Sequence, residues 1–388
     1  MTNQSSIPKA AMVAIDDLMD SCGVAPGKRV LLVADIQGLF AGDSAVDADA
    51  IGWLEIAACS RGADVSVLWM DEKFHPEGWQ VPPALKAAML GADIVINHSF
   101  NISPTDLGAM RYFLEFSKFR KGFRHVRNFA STGPLLCSQW AQTPYELLME
   151  IRYQAALRLK PGLPFLLTDP NGTHLQGVIA PPPNPADSDT PYAERRRGNM
   201  YQFWPEWLHK PVHIVEVNGS FIYDCMSPFW SRYVGVSPYF NDPVELQIEN
   251  CRITKISGGI EADALQVFLQ SIARRFGEDP YNVNVFHTGI HPQAVISPQQ
   301  CPSPLIRRQM DHSHSRNVHI HIGAPSPSPP YDYYLQHCTA DIRNPTFLIG
   351  DYLLHEKGHL TVLDSPEVQA VVQKYPDRPG TIPVPRNF

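Results

Sequence analysis

Strand-like and helix-like stretches alternate over the first hundred residues, and this alternation constrains the fold more than any other feature. Val30-Leu31-Leu32-Val33-Ala34 is continuously apolar, as a strand buried on both faces must be. Before it, residues 8–22 carry Ala, Met, Val, Ile and Leu at spacings of three and four, an amphipathic helix ended by Gly23 and Pro26. Ala48 to Ala58 reads as a second helix, stopped at Gly62, and Val65-Ser66-Val67-Leu68-Trp69 as a second strand. Pro82 to Leu90 has proline at its start and Gly91 at its end, the usual asymmetry of a helix, and Ile94-Val95-Ile96 is a third strand. Strands separated by helices imply a parallel sheet with right-handed crossovers. The expectation is a Rossmann-like α/β lobe over residues 1–160. The exit of its first strand, Asp35 to Gly42, matches neither GxGxxG nor a P-loop, so a dinucleotide site there has little support.

Residues 161–210 read as a Pro-rich connecting arm or lid, with Pro181-Pro182-Pro183, Pro185 and Pro191 leading to Arg195-Arg196-Arg197. The arginines are either solvated surface charge or a holder for an acidic group. From Val212 the pattern becomes β-rich. Val212 to Val217 and Ser220 to Asp224 flank Asn218-Gly219, a hairpin signal. Val244 to Asn250 and Arg252 to Ile256 alternate in polarity, and Glu261 to Phe276 reads as a helix. Residues 211–388 are therefore expected to form a C-terminal α+β lobe. The fold class as a whole is α/β plus α+β.

Composition narrows the function. The 388 residues hold 32 Lys+Arg against 39 Asp+Glu, a formal charge of −7 that disfavours a nucleic-acid partner. No apolar run reaches the roughly 18–20 residues that span a bilayer, and the first residues lack a signal-like pattern. The seven cysteines are scattered with no CxxC pair, which suits reduced thiols and a cytoplasmic location and disfavours a cysteine zinc site.

Of the 15 histidines, nine lie between His287 and His359. The sharpest segment is Val318-His319-Ile320-His321-Ile322. On a strand, residues i and i+2 share a face, so His319 and His321 point together over an apolar backing. His287 follows the strand-like run Val283-Asn284-Val285-Phe286 and is the best third ligand, with His291 second. His312 and His314 also have HxH spacing but sit in a polar stretch and read as loop residues near a site entrance. His355 and His359 lack HExxH spacing and read as flanking a hairpin turn. Nearby carboxylates are sparse, which favours a mononuclear, nitrogen-rich centre over a dinuclear hydrolytic one. Zinc hydrolysis and non-haem iron chemistry both remain open on residue types. His98, just after the third strand, stands where α/β sheets present ligands and is one acid/base candidate; His291 is the other. Tyr223, Trp204 and Phe203 could stack on a planar substrate.

The order of these segments over residues 210–365, closing with Phe347-Leu348-Ile349-Gly350-Asp351-Tyr352-Leu353-Leu354, resembles the aminopeptidase T-like metalloprotein superfamily. Within it the resemblance is to the 2,5-dihydroxypyridine 5,6-dioxygenase group. That resemblance implies an Fe(II) enzyme that opens a hydroxylated aromatic ring with O2, and a homo-oligomer. It also implies ligands at His287 and His319 and a carboxylate at the position His321 occupies. The departure exchanges two His and one carboxylate for three His. Two alternatives are a zinc- or cobalt-dependent aminopeptidase-like hydrolase and a non-catalytic metal-binding protein.

Overall fold

The computed structural model of the protein describes residues 7–36, 46–70, 83–98, 124–181, 201–205, 212–227, 231, 234–276, 279–301, 304–323 and 337–384. The Pro-rich run beyond residue 181, the arginine triplet and the prolines at 325–330 lie outside them.

Five strands form a parallel sheet in the order β2-β1-β3-β4-β7: β1 (Arg29–Asp35), β2 (Asp64–Met70), β3 (Ile94–Asn97), β4 (Arg124–Asn128) and β7 (Tyr201–Trp204). Helix α1 (Lys9–Cys22) buries Ala11, Ala14, Ile15, Leu18 and Met19 and ends at Gly23, whose φ of 71° is left-handed and suits glycine. Helix α2 (Ala48–Ser60) starts where the Asp47 carboxylate accepts the Ala50 N–H at 2.7 Å. Helix α3 (Pro83–Gly91) and helix α4 (Tyr145–Arg158) follow. The strands and helices expected between residues 8 and 96 are present, within two residues at most ends.

An antiparallel sheet of eleven strands accompanies the parallel one. It contains β5 (Pro164–Thr168), β6 (His174–Ile179), β8 (Val212–Met226), β9 (Tyr239–Glu249), β10 (Arg252–Ser257), β11 (Val283–Thr288), β12 (Asn317–Gly323), β13 (His337–Arg343), β14 (Thr346–Ile349), β15 (Tyr352–Glu356) and β16 (His359–Leu360). Helices α5 (Ile260–Phe276), α6 (Pro304–Asp311) and α7 (Pro366–Lys374) accompany it. The 15-residue β8 organises the sheet. One end pairs with β11, the other with β13, while β12 lies between β11 and β13, so these four strands close on themselves.

Two local expectations are corrected. Residues 164–179 are not irregular: they form the β5–β6 hairpin, which joins β8 on one side and β14 on the other. Asn218-Gly219 is not a turn, because β8 runs straight through it. A Cβ on Gly219 would lie 2.0 Å from the His174 carbonyl oxygen, so glycine here admits the close passage of β6. The tight turn falls instead at Asn250 and Cys251, with φ of 46° and 67°, between β9 and β10. The turn expected between His355 and His359 is present, with left-handed Lys357 and Gly358.

Two large cores result. One joins α4 to the strands of the big sheet; the other lies around the parallel sheet and also takes in Ala294, Ile296, Cys301 and Met310 from the later chain. Trp204 and Tyr223 are buried in these cores and so serve packing, the default for large aromatics, rather than stacking on a substrate.

His355 is fully buried beside Phe347, and burial pushes its pKa down to about 3. Above about pH 6.5 the imidazole is neutral folded or unfolded. As pH falls below that value the unfolded chain takes up a proton and the folded one does not, so stability is lost. Between pH 6.5 and 5 this site should remove about 2 kcal/mol. Urea titrations across that range should show a shallower loss, by about this amount, in His355→Leu than in the parent chain.

Candidate metal centre

His287 and His319 are direct cross-strand partners on β11 and β12, and His321 follows two residues along β12 on the same face. The opposite face of β12 carries Val318, Ile320 and Ile322, all fully buried in the core. The alternation therefore does two jobs: the aliphatic residues anchor the strand and the imidazoles are held together. All three rings are buried, and one ring nitrogen from each lies within 4.8 Å of the others.

The ring spacing tests whether one ion fits. With a metal–nitrogen bond of about 2.1 Å, two imidazoles about 90° apart around an ion have centres about 4.5 Å apart, and at about 110° about 5.2 Å. The His287–His321, His287–His319 and His319–His321 centres are 4.7, 4.8 and 5.4 Å apart. These values are close to a facial three-nitrogen set. The ring planes lie within 31° of parallel, so the rings must turn on their side-chain torsions to converge on one point. The donor set and its spacing fit a divalent transition metal, with coordination positions left over for other ligands.

A second group overlaps the first: His312, His319 and Asp341. Asp341 lies opposite His319 on β13. His312 stacks on His319 with ring centres 4.0 Å apart, tighter than two ligands of one ion, and its Nδ1–H donates to Asp341 Oδ2 at 2.8 Å. Arg308 on α6 donates to that same oxygen. Burial alone would raise the Asp341 carboxyl, but the charges and hydrogen bonds of His312 and Arg308 outweigh it and hold the pKa below the usual range. Asp341 is thus a fixed anion that orients His312 against His319.

His312 and His314 lie in the turn between α6 and β12, as loop residues beside the site, but both are buried, which corrects their placement at an entrance. His314 Nε2–H donates to the Val384 carbonyl at 3.1 Å, while its Nδ1 accepts the Arg316 N–H. His291 is not brought into the triad. Its Nε2–H donates to the Trp140 carbonyl at 3.1 Å and its Nδ1 accepts the Gln293 N–H at 3.2 Å, so both nitrogens are occupied and an acid/base role is lost. Its work is to tie the segment after β11 to the helical layer. Gly289 explains why that segment is tight: a Cβ there would lie 2.1 Å from the His314 carbonyl oxygen.

His98 stands at the carboxyl end of β3, fully buried. Its Nδ1 faces Asn128 Nδ2 at 3.2 Å and Ser131 Oγ at 3.4 Å, and its Nε2 has no hydrogen-bond partner among the described residues. Burial lowers its pKa to about 3, so the ring is neutral near pH 7.

No family model and no curated protein matches the chain. Among solved structures, it is similar to a 2,5-dihydroxypyridine dioxygenase from Pseudomonas putida KT2440, with a TM-score of 0.62 and 15% identity over 94% of this chain and 99% of that one. The likeness is one of fold. Among the described residues, no helix is long and apolar enough to cross a membrane.

Proposed function

We propose that this protein is a mononuclear non-haem Fe(II) dioxygenase that opens the ring of a hydroxylated aromatic or N-heteroaromatic compound with O2. The observation that carries the reading is the buried set His287, His319 and His321 on one face of two paired strands. Iron held there would supply electron exchange with O2 and an open position for a substrate oxygen. The chain's own residues do the rest. The closed strand ring holds the imidazoles at fixed spacing, and the aliphatic backing keeps water from the rear of β12. Asp341 and His312 brace the His319 ring. His98 is the residue we assign to proton handling: its Nδ1 faces the Asn128 amide N–H, which leaves the proton of the neutral ring on Nε2, where it would be donated to a substrate oxygen. A fold shared with a dihydroxypyridine dioxygenase supports the reading. The hydrolytic alternative calls for carboxylates converging on His287, and Asp341 is instead committed to Arg308 and His312.

The deciding measurement is metal content followed by O2 uptake with a panel of dihydroxylated pyridines and benzenes. Near-stoichiometric iron and substrate-dependent uptake are expected. Protein without iron or uptake, but able to hydrolyse aminoacyl substrates, would overturn the proposal.

A further inference from the structure

Arg308 is the least explained charged residue in the described structure. Its side chain is 2% exposed, yet of its three nitrogens only Nη2 has a hydrogen-bond partner, Asp341. Nε and Nη1 have none among the described residues. Three N–H donors are therefore left in a buried setting, where an unmade hydrogen bond on a charged group is costly. A guanidinium kept solely to neutralise Asp341 would use its fork on both carboxylate oxygens, but Asp341 Oδ1 is also unpartnered.

The surroundings say what could complete it. The Arg308 guanidinium carbon lies 5.4 Å from the centre of the Tyr239 ring, whose hydroxyl donates to Asp311 Oδ2 at 2.8 Å. Tyr239 is 37% exposed, so the tyrosine stands between solvent and the arginine. On the other side, Arg308 shares Asp341 with His312, and a carboxylate oxygen of Asp341 lies within 4.8 Å of a His319 ring nitrogen. Three imidazoles are neutral ligands and bring no charge to a divalent ion, and Asp341, the carboxylate grouped with them among the described residues, is already held by Arg308 and His312. A metal in this triad would leave the pocket with surplus positive charge.

We propose that Arg308 is the substrate-anchoring residue of the site, receiving on Nη1 an anionic oxygen of an aromatic carboxylate. This deepens the function proposed above by naming the substrate class, and rests on it for the location of the reacting ring. Asp341 holds the guanidinium through Nη2 and leaves Nε and Nη1 without a partner among the described residues.

Benzoate and benzamide differ little in shape and by one charge, so they make the probe pair. Calorimetric titration is done on chelator-treated, metal-free protein, so that the outcome does not depend on iron or turnover. Benzoate should bind at least tenfold more tightly than benzamide to the parent chain. Arg308→Met should erase the difference, and Arg308→Lys should keep part of it. If Arg308→Met does not fold because it strands Asp341, the neutral pair Arg308→Met with Asp341→Asn replaces it. Equal binding of the two probes by the parent chain, or a benzoate preference that survives loss of Arg308, overturns the assignment. Loss of iron binding or O2 uptake would instead count against the proposed function alone.

Discussion

Chains carrying His287→Ala, His319→Ala or His321→Ala should each be recovered folded but without stoichiometric metal. Loss of a residue that merely braces a ligand costs about 10–100-fold in metal affinity, so loss of a ligand itself should exceed about 100-fold. The contrast that matters is with His312→Ala. His312 stacks on His319 at 4.0 Å and is bonded to Asp341, so its removal loosens one ligand and leaves three donors in place. Metal analysis after equilibrium dialysis should therefore order the variants, with the three triad substitutions metal-free and His312→Ala retaining metal more weakly than the parent. Full retention in His287→Ala and His321→Ala, with loss in His312→Ala and His319→Ala, would move the centre to the neighbouring group.

Asp341→Asn should produce a large loss of stability among single substitutions. Asp341 is fully buried and is the one hydrogen-bond partner of Arg308 among the described residues. Removing the negative partner of a buried pair leaves an uncompensated charge and costs about 3–5 kcal/mol, whereas replacing both partners by neutral groups is often close to neutral. The double variant Arg308→Met with Asp341→Asn should accordingly recover much of what the single variant loses. Equilibrium denaturation of the three proteins measures this directly, and a double variant no better than Asp341→Asn alone would mean that the pair does not govern stability there.

How much of this was legible beforehand differs by element. The phase of His319 and His321 followed from the period of two, because every intervening position is Val or Ile and an imidazole facing the core would have displaced one of them. Three strands of the parallel sheet were legible for the same reason of local pattern, but β4 (Arg124–Asn128) and β7 (Tyr201–Trp204), the latter inside the expected connecting arm, were not. Asp341 was not read as part of the site, although Cys338-Thr339-Ala340-Asp341-Ile342 alternates much as β12 does and places Thr339 and Asp341 together on the polar side. What was missing was the pairing of β13 with β12, a contact between distant segments that no local period reveals. Arg308 gave still less sign, since a charged residue in a short helix ordinarily faces solvent. The β5–β6 hairpin was hidden by the prolines that follow it. Asn218-Gly219 misled because glycine serves close approach as readily as it serves turns.

The closed ring of β8, β11, β12 and β13 has one more consequence. A strand at a sheet edge can slide, and a slip of one residue would carry His319 and His321 into the core and turn Val318, Ile320 and Ile322 outward. Neither ligand-bearing strand has a free edge here: β12 is held by β11 and β13, and β11 by β12 and β8. The register that brings the three imidazoles to one face is thus settled by backbone pairing alone. A zinc finger takes its frame from its ion; here the frame that groups the three imidazoles is the hydrogen-bonded ring of strands itself.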